Sequence, residues 1–159
     1  MSFTYSTLKT AIQDYTENTE STFVTHLPDF IKTTEERILK NVQLSLFRKN
    51  VSGSMTDGNQ YLNAPTDFLA PFSLSLTSSS SKLFLDYKDS NFVQTINPNS
   101  ATEGTPKYYA LFDVDNFILA PTPNSNFTTE LHYFYRPTSL TAGSDSGTTW
   151  LSTEATNCL

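Results

Sequence analysis

Residues 105–136 read TPKYYALFDVDNFILAPTPNSNFTTELHYFYR, and this stretch decides the fold class. Three β-type runs lie in it: Lys107–Phe112, Phe117–Ala120 and Phe127–Tyr135. The last alternates, with Phe127, Thr129, Leu131, Tyr133 and Tyr135 on one face and Thr128, Glu130, His132, Phe134 and Arg136 on the other. Aromatic and β-branched residues suit a half-buried strand. Asp113–Asn116 supplies one turn, and Pro121, Pro123 and Asn124 the next. The reading is an antiparallel meander without an evident catalytic centre.

Working outward, Tyr61–Ala64, Phe68–Leu76 and Lys82–Lys88 read as further strands. In the second, Phe72, Leu74 and Leu76 are expected on one face and Ser73, Ser75 and Thr77 on the other. In the third, Leu83, Leu85 and Tyr87 oppose Phe84 and Asp86. Asp57-Gly58-Asn59 is a turn, and Ser78–Ser81 is a hairpin tip. Asp89 caps a short helix over Ser90–Ile96, which Pro98 stops, and a loop follows over Asn97–Thr105. Period is loose over Leu44–Thr56.

The first fifty residues are helical in pattern. Tyr5, Leu8, Ile12 and Tyr15 recur at helical spacing behind Thr4 or Ser6 as N-cap. Asn18–Ser21 breaks that helix. Pro28 suits the first turn of a second one, with Asp29 beside it, and His26 falls just before its start. Leu27, Phe30, Ile31, Ile38 and Val42 form its stripe, flanked by Leu39, and Glu36 is spaced to pair with Lys40. After Arg136-Pro137, residues 138–149 read as a polar loop. Trp150-Leu151 and a Ser152 cap then announce a helix that the chain cuts short.

The predicted class is α+β: an N-terminal helical hairpin over 1–50, and an antiparallel, sandwich- or barrel-like β-rich insertion over 51–148. Residues 149–159 would begin a C-terminal helix returning to the helical part.

Composition narrows the function. The chain of 159 residues carries a net charge of −6, with 12 Phe and 8 Tyr supplying much of its apolar surface. Residues 1–50 hold six basic and six acidic side chains, and residues 51–159 hold four basic and ten acidic. That is the reverse of a nucleic-acid-binding stripe, and it suits a path that DNA slides past. Cys158 is the only cysteine, so neither an intramolecular disulfide nor a thiolate zinc site can form. There is no secretory h-region and no apolar run of membrane-spanning length, so a soluble chain made in the cytosol is expected. Asn50-Val51-Ser52 and Asn126-Phe127-Thr128 are chance glycosylation matches in a chain this rich in Ser and Thr.

Chemistry is sparse. Asp113-Val114-Asp115-Asn116 starts like a calcium loop but lacks its central Gly and closing Glu. His26 and His132 are the only histidines, and no phosphate-loop, dinucleotide or nucleophile-elbow motif occurs. No catalytic, metal-binding or cofactor residue is assigned, and an enzyme built on Glu130, His132 and Arg136 ranks last. Aromatics on both strand faces (Tyr108, Tyr109, Tyr133, Phe134, Tyr135), with Arg136 nearby, are the residue mix of protein interfaces.

Four segments carry a resemblance: YSTLKTAIQDYTENTESTF (5–23), LPDFIKTTEERILKNVQLSLFRKN (27–50), FDVDNFILAPTP (112–123) and ELHYFYRPTSL (130–140). As an ordered set, running from Tyr5 to about Ala155, they resemble the head–tail adaptor proteins of short-tailed and related bacteriophages, also called connector or head-completion proteins. Such proteins look like a small helical bundle with a β-rich insertion, and members usually continue past the Trp-Leu-Ser segment into further helices. The resemblance implies a structural virion protein that forms a ring of about twelve subunits. It implies docking on the portal protein, a longer channel for passing genomic DNA, a platform for tail tube or nozzle proteins, and assembly in the host cytoplasm. No cofactor, catalysis or membrane is implied. Expected subunit or partner contacts are Tyr5, Leu8, Ile12, Tyr15, Arg37, Lys40, Tyr133, Tyr135, Arg136 and Trp150. The rival reading is a stand-alone β-sandwich that binds glycans or a receptor.

Overall fold

The structure is a computed structural model that describes residues 4–41, 45–142 and 146–150. The fold is α+β. Two compact units divide the chain, one formed by residues 1–44 and 136–159 and the other by residues 45–135. Val42, the Ser152 cap with its helix, and Cys158 lie outside the described residues.

In the first unit, α1 spans Tyr5–Thr16. Thr4 is its N-cap: Thr7 N donates to Thr4 Oγ1 at 3.3 Å, and Thr4 N donates to Thr7 Oγ1 at 2.8 Å. Glu17 closes it in the left-handed region, φ 49°.

The second helix, α2, spans Ser21–Asn41, seven residues longer at its start than the Pro28 signal implied. Asn18 Oδ1 accepts from Glu20 N at 2.9 Å and organises the turn just before it. Pro28 therefore sits inside the helix, where it lacks the N–H that would bond the Val24 carbonyl. Burial of Leu27, at 0% exposure, offsets that loss by about 2 kcal/mol. His26 accordingly lies within the helix, 3.4 Å from Asp29 Oδ2.

The buried stripe of α2 is Leu27, Ile31, Glu35 and Leu39, while Phe30 is 54% exposed. Spacing of four throughout explains why Phe30 falls off the face. A 3₁₀ turn over Leu140–Ala142 puts Leu140 among Tyr5, Leu8 and Ile31. The polar loop expected over 138–149 thus supplies a core residue.

The second unit is a nearly closed barrel. Its strands are β1 (Arg48–Met55), β2 (Tyr61–Asn63), β3 (Phe68–Ser78) and β4 (Ser81–Tyr87). After them come β5 (Glu103–Gly104), β6 (Tyr108–Leu111), β7 (Asn116–Ala120), β8 (Thr122–Pro123) and β9 (Phe127–Tyr135). Seven of them form one sheet in the order β1-β9-β3-β4-β6-β7-β2, and β5 pairs with β8 separately.

All pairings in the large sheet are antiparallel except β4–β6. Parallel neighbours need a crossover, and α3 (Ser90–Ile96) supplies it, capped by Asp89 through Asn91 N at 2.9 Å. Val93 of α3 packs outside the sheet on Ala110, Ile118 and Ala120. Met55, Leu74, Leu85, Tyr109, Phe117 and Leu131 are among the interior residues.

The expected meander is corrected here. β6 and β7 pair as a hairpin, but β9 lies between β1 and β3. β7 is five residues long, and its other edge is taken by β2. The nine residues of β9 match the eight of β1 and the eleven of β3, and a longer ladder satisfies more backbone groups. The alternation read in β9 holds, with Phe127, Leu131 and Tyr133 inside and Tyr135 half-buried against them.

Candidate functional site

Three surfaces have the chemistry of an interaction site, and two of them come from a break in strand regularity. β3 holds a bulge between Pro71 and Ser73, where Pro71 pairs with Tyr133 and Ser73 with His132. Phe72 is the extra residue, so it leaves the Leu74 and Leu76 face and stands 51% exposed. This corrects the shared face expected for Phe72, Leu74 and Leu76. Pro71 was the sequence signal, because proline inside a strand marks a bulge or an edge.

Phe72 meets Phe134 and His132 edge-on at 6.2 Å each. The Arg48 guanidinium lies 4.3 Å from the centre of the Phe72 ring. An outer aromatic platform with a cation on it results.

The second surface is the tip of the β3–β4 hairpin. Ser78 pairs with Ser81 across a two-residue loop. Ser79 and Ser80 both take positive φ, 48° and 67°, as a tight right-twisted hairpin requires. Leu83 and Phe84, next to the tip, are 43% and 68% exposed. They border a groove of about 450 Å³ that Thr105, Pro106, Lys107 and Tyr108 line on the far side. Strand residues beside a serine tip have little chain above to cover them, and that was the available signal.

The third surface is the splayed pair β1 and β2. They are joined through the turn at Gly58, φ 72°, and open a slot of about 210 Å³. Val51, Leu62, Ala64 and Pro65 line it, with Leu131 beneath.

Polar groups on this unit are tied up in pairs. Glu130 accepts from Lys82 and from Asn50, and both hydrogen bonds hold its carboxyl below the usual range. Tyr133 Oη donates to Asp67 Oδ1 at 2.7 Å, and Lys49 Nζ donates to Asp67 Oδ2 at 2.7 Å. Desolvation pushes Asp67 up, but the Lys49 and Tyr133 hydrogen bonds outweigh it and the net shift is down. Desolvation, aided by the Asp67 hydrogen bond, raises Tyr133. At the β6–β7 turn, Asp113 accepts from Asn116 Nδ2 and Asp115 N, so these carboxylate-rich residues serve the turn.

The ten expected contact residues fall in distinct settings. Tyr5 and Leu8 are buried with Ile31 and Leu140, with Ile12 beside them. Tyr15 is 91% exposed, and Arg37 and Lys40 are exposed on α2. Tyr133 is inside the barrel, and Lys49 Nζ stands 5.4 Å from the Tyr135 ring centre. Arg136 Nη2 pairs with Glu36 Oε2 at 3.1 Å, so the expected Glu36–Lys40 pair is replaced by a partner distant in sequence. Trp150 is buried at 8% exposure. Glu130, His132 and Arg136 thus each have their own partners: Lys82, Phe72 and Glu36.

Glu35 was missed altogether. It is 3% exposed and accepts from Leu140 N at 3.0 Å and Ser139 Oγ at 2.5 Å. Among the described residues no cluster of His, Cys, Asp or Glu could hold a metal ion, and no described helix is long and apolar enough to cross a membrane.

Comparison with curated proteins gives no match. Comparison with family models matches residues 3–158 to the SU10 adaptor protein family. With nearly the whole chain covered, barrel and helices alike, the protein belongs to the SU10 adaptor protein family and is a phage adaptor protein.

Proposed function

We propose that this protein is a ring-forming head–tail adaptor of a short-tailed-type phage. About twelve copies stand around an axis, dock on the portal protein, and extend the channel through which genomic DNA passes. The far side of the ring is the platform for tail tube or nozzle proteins. The protein acts by position and shape, without catalysis or cofactor, and it joins the virion at the portal–tail junction after synthesis in the host cytoplasm. The observation that carries the reading is the family match over residues 3–158. Exposed Phe72, Leu83, Phe84 and Val114 support it, because a subunit that stayed alone would leave this apolar surface in water. The excess of acidic over basic residues in 51–159 supports passage of DNA without retention.

The test is native mass spectrometry of the full chain, alone and with purified portal protein. A ring of about twelve copies bound to portal is the expected product. A chain that stays monomeric and ignores portal overturns the reading.

A further inference from the structure

Among the open strand edges of the barrel, those of β4 and β1 lie on opposite sides by the sheet order. The order β1-β9-β3-β4-β6-β7-β2 nearly closes on itself, with its seam between β1 and β2. β4 is the middle strand, across the barrel from that seam. It pairs with β3 through Ser81–Leu85 but with β6 only at Asp86 and Tyr87. Its other edge is therefore open over Ser81–Leu85, beside the groove of about 450 Å³. β1 pairs with β9 along its whole length, and its second edge faces the seam.

Past Arg48 and Lys49 at the start of β1, neither edge is protected in the usual ways. From Asn50 to Met55, β1 carries no charge and no proline, and Ser81–Leu85 carries one lysine, already engaged by Glu130. Native proteins normally blunt such edges with charge, proline or a covering element.

We propose that β1 of one copy pairs antiparallel with β4 of the next, so that the barrels join edge to edge. This rests on the ring reading above. The two edges are different surfaces on opposite sides, so the contact is head-to-tail, the kind that closes into a ring under rotation. One register satisfies both faces. Asn50, Val51, Ser52 and Gly53 then oppose Phe84, Leu83, Lys82 and Ser81. Val51 and Leu83 lie on the interior-facing side of their strands and meet there, since their ladder partners Leu131 and Leu76 are interior residues. Asn50 and Phe84 lie on the outer side, and the pairing stops short of Asp86, whose edge β6 already holds. A register shifted by one residue would set outer side chains against inner ones. Main-chain hydrogen bonds supply the attachment, and the Val51–Leu83 pair selects the register.

The test is oxidation of the full chain carrying Val51→Cys and Leu83→Cys, with Cys158→Ser, in the presence of purified portal protein. Ring formation is followed by native mass spectrometry on the same sample. The expected result is a reducible ladder of covalent oligomers with the double variant, and no ladder with either single variant. The two positions lie on opposite sides of one barrel, so an internal bridge does not compete. Leu83→Glu, at a 43% exposed position, should leave melting of the isolated chain unchanged and abolish ring formation. A ring that forms without a ladder and tolerates Leu83→Glu overturns the edge pairing and leaves the ring reading standing. Absence of any ring from the unmodified chain overturns both.

Discussion

Replacing Glu35 by alanine destabilises the helical unit by about 3 kcal/mol. The figure comes from the partners of the carboxylate. Leu140 is 0% exposed, and its N–H donates to Glu35 Oε1 at 3.0 Å. Alanine leaves that N–H buried without an acceptor, which costs about 1–3 kcal/mol. Ser139 loses an acceptor too, but its hydroxyl already lies 2.8 Å from Thr141 Oγ1 and turns there at little cost. The Glu35 Cγ methylene, buried within a residue only 3% exposed, adds roughly 1 kcal/mol of lost packing.

Glutamine keeps an acceptor for Leu140 N and offers Ser139 a donor, so Glu35→Gln costs about 1 kcal/mol. The sole tryptophan, Trp150, belongs to this unit and is 8% exposed. Its fluorescence during urea unfolding therefore reads this unit. Thermal melting falls by about 10–20 °C for alanine in a unit of this size. An alanine variant within roughly 0.5 kcal/mol of the parent would refute the claim that this carboxylate clamps the Leu140 turn onto α2.

Three more outcomes follow from the barrel. Ser79→Asn with Ser80→Gly puts residues that accept positive φ at 48° and 67°, and it raises barrel stability by about 1 kcal/mol in chemical denaturation. Asp67 sits below the ordinary aspartate value of 3.8 in the folded state, so its contribution is present above that value and is lost as pH falls through the lower folded value. Asp67→Asn flattens the acid limb of the stability profile; an unchanged limb would remove Lys49 and Tyr133 as the cause. Tyr109 is pushed from 10.0 to about 12, chiefly by desolvation and then by Tyr87. The unfolded chain ionises first, so stability is intact below pH 10 and is lost as pH rises toward about 12, and Tyr109→Phe reduces that slope.

The candidate surfaces divide in how far they could be read from the chain. Exposed Arg37 and Lys40 follow from helical spacing alone, whereas Tyr15, spaced with Tyr5, Leu8 and Ile12, stands 91% exposed near the end of α1. Phe72 was placed on the wrong face because alternation assumes one residue opposite one, and a bulge places two. Glu35 was passed over because a carboxylate reads as surface, and only the returning Ser139–Leu140 segment makes its burial tolerable.

Local sequence determined the parts that local forces govern. The Asp89 cap, the serine hairpin tip, the Asp57–Asn59 turn and the alternation of β9 all stand where the residues placed them, and of the two caps offered for α1, Thr4 and Ser6, Thr4 is used. Each depends on contacts between residues a few positions apart. Tertiary structure alone decided that β9 lies between β1 and β3, that Pro28 lies inside α2, and that Arg136 rather than Lys40 holds Glu36. Those outcomes depend on which distant segment offers the longer ladder, the buried contact or the opposite charge. No window of sequence contains both partners of such a choice, so the periodicity of one strand states that it pairs and leaves open with which strand.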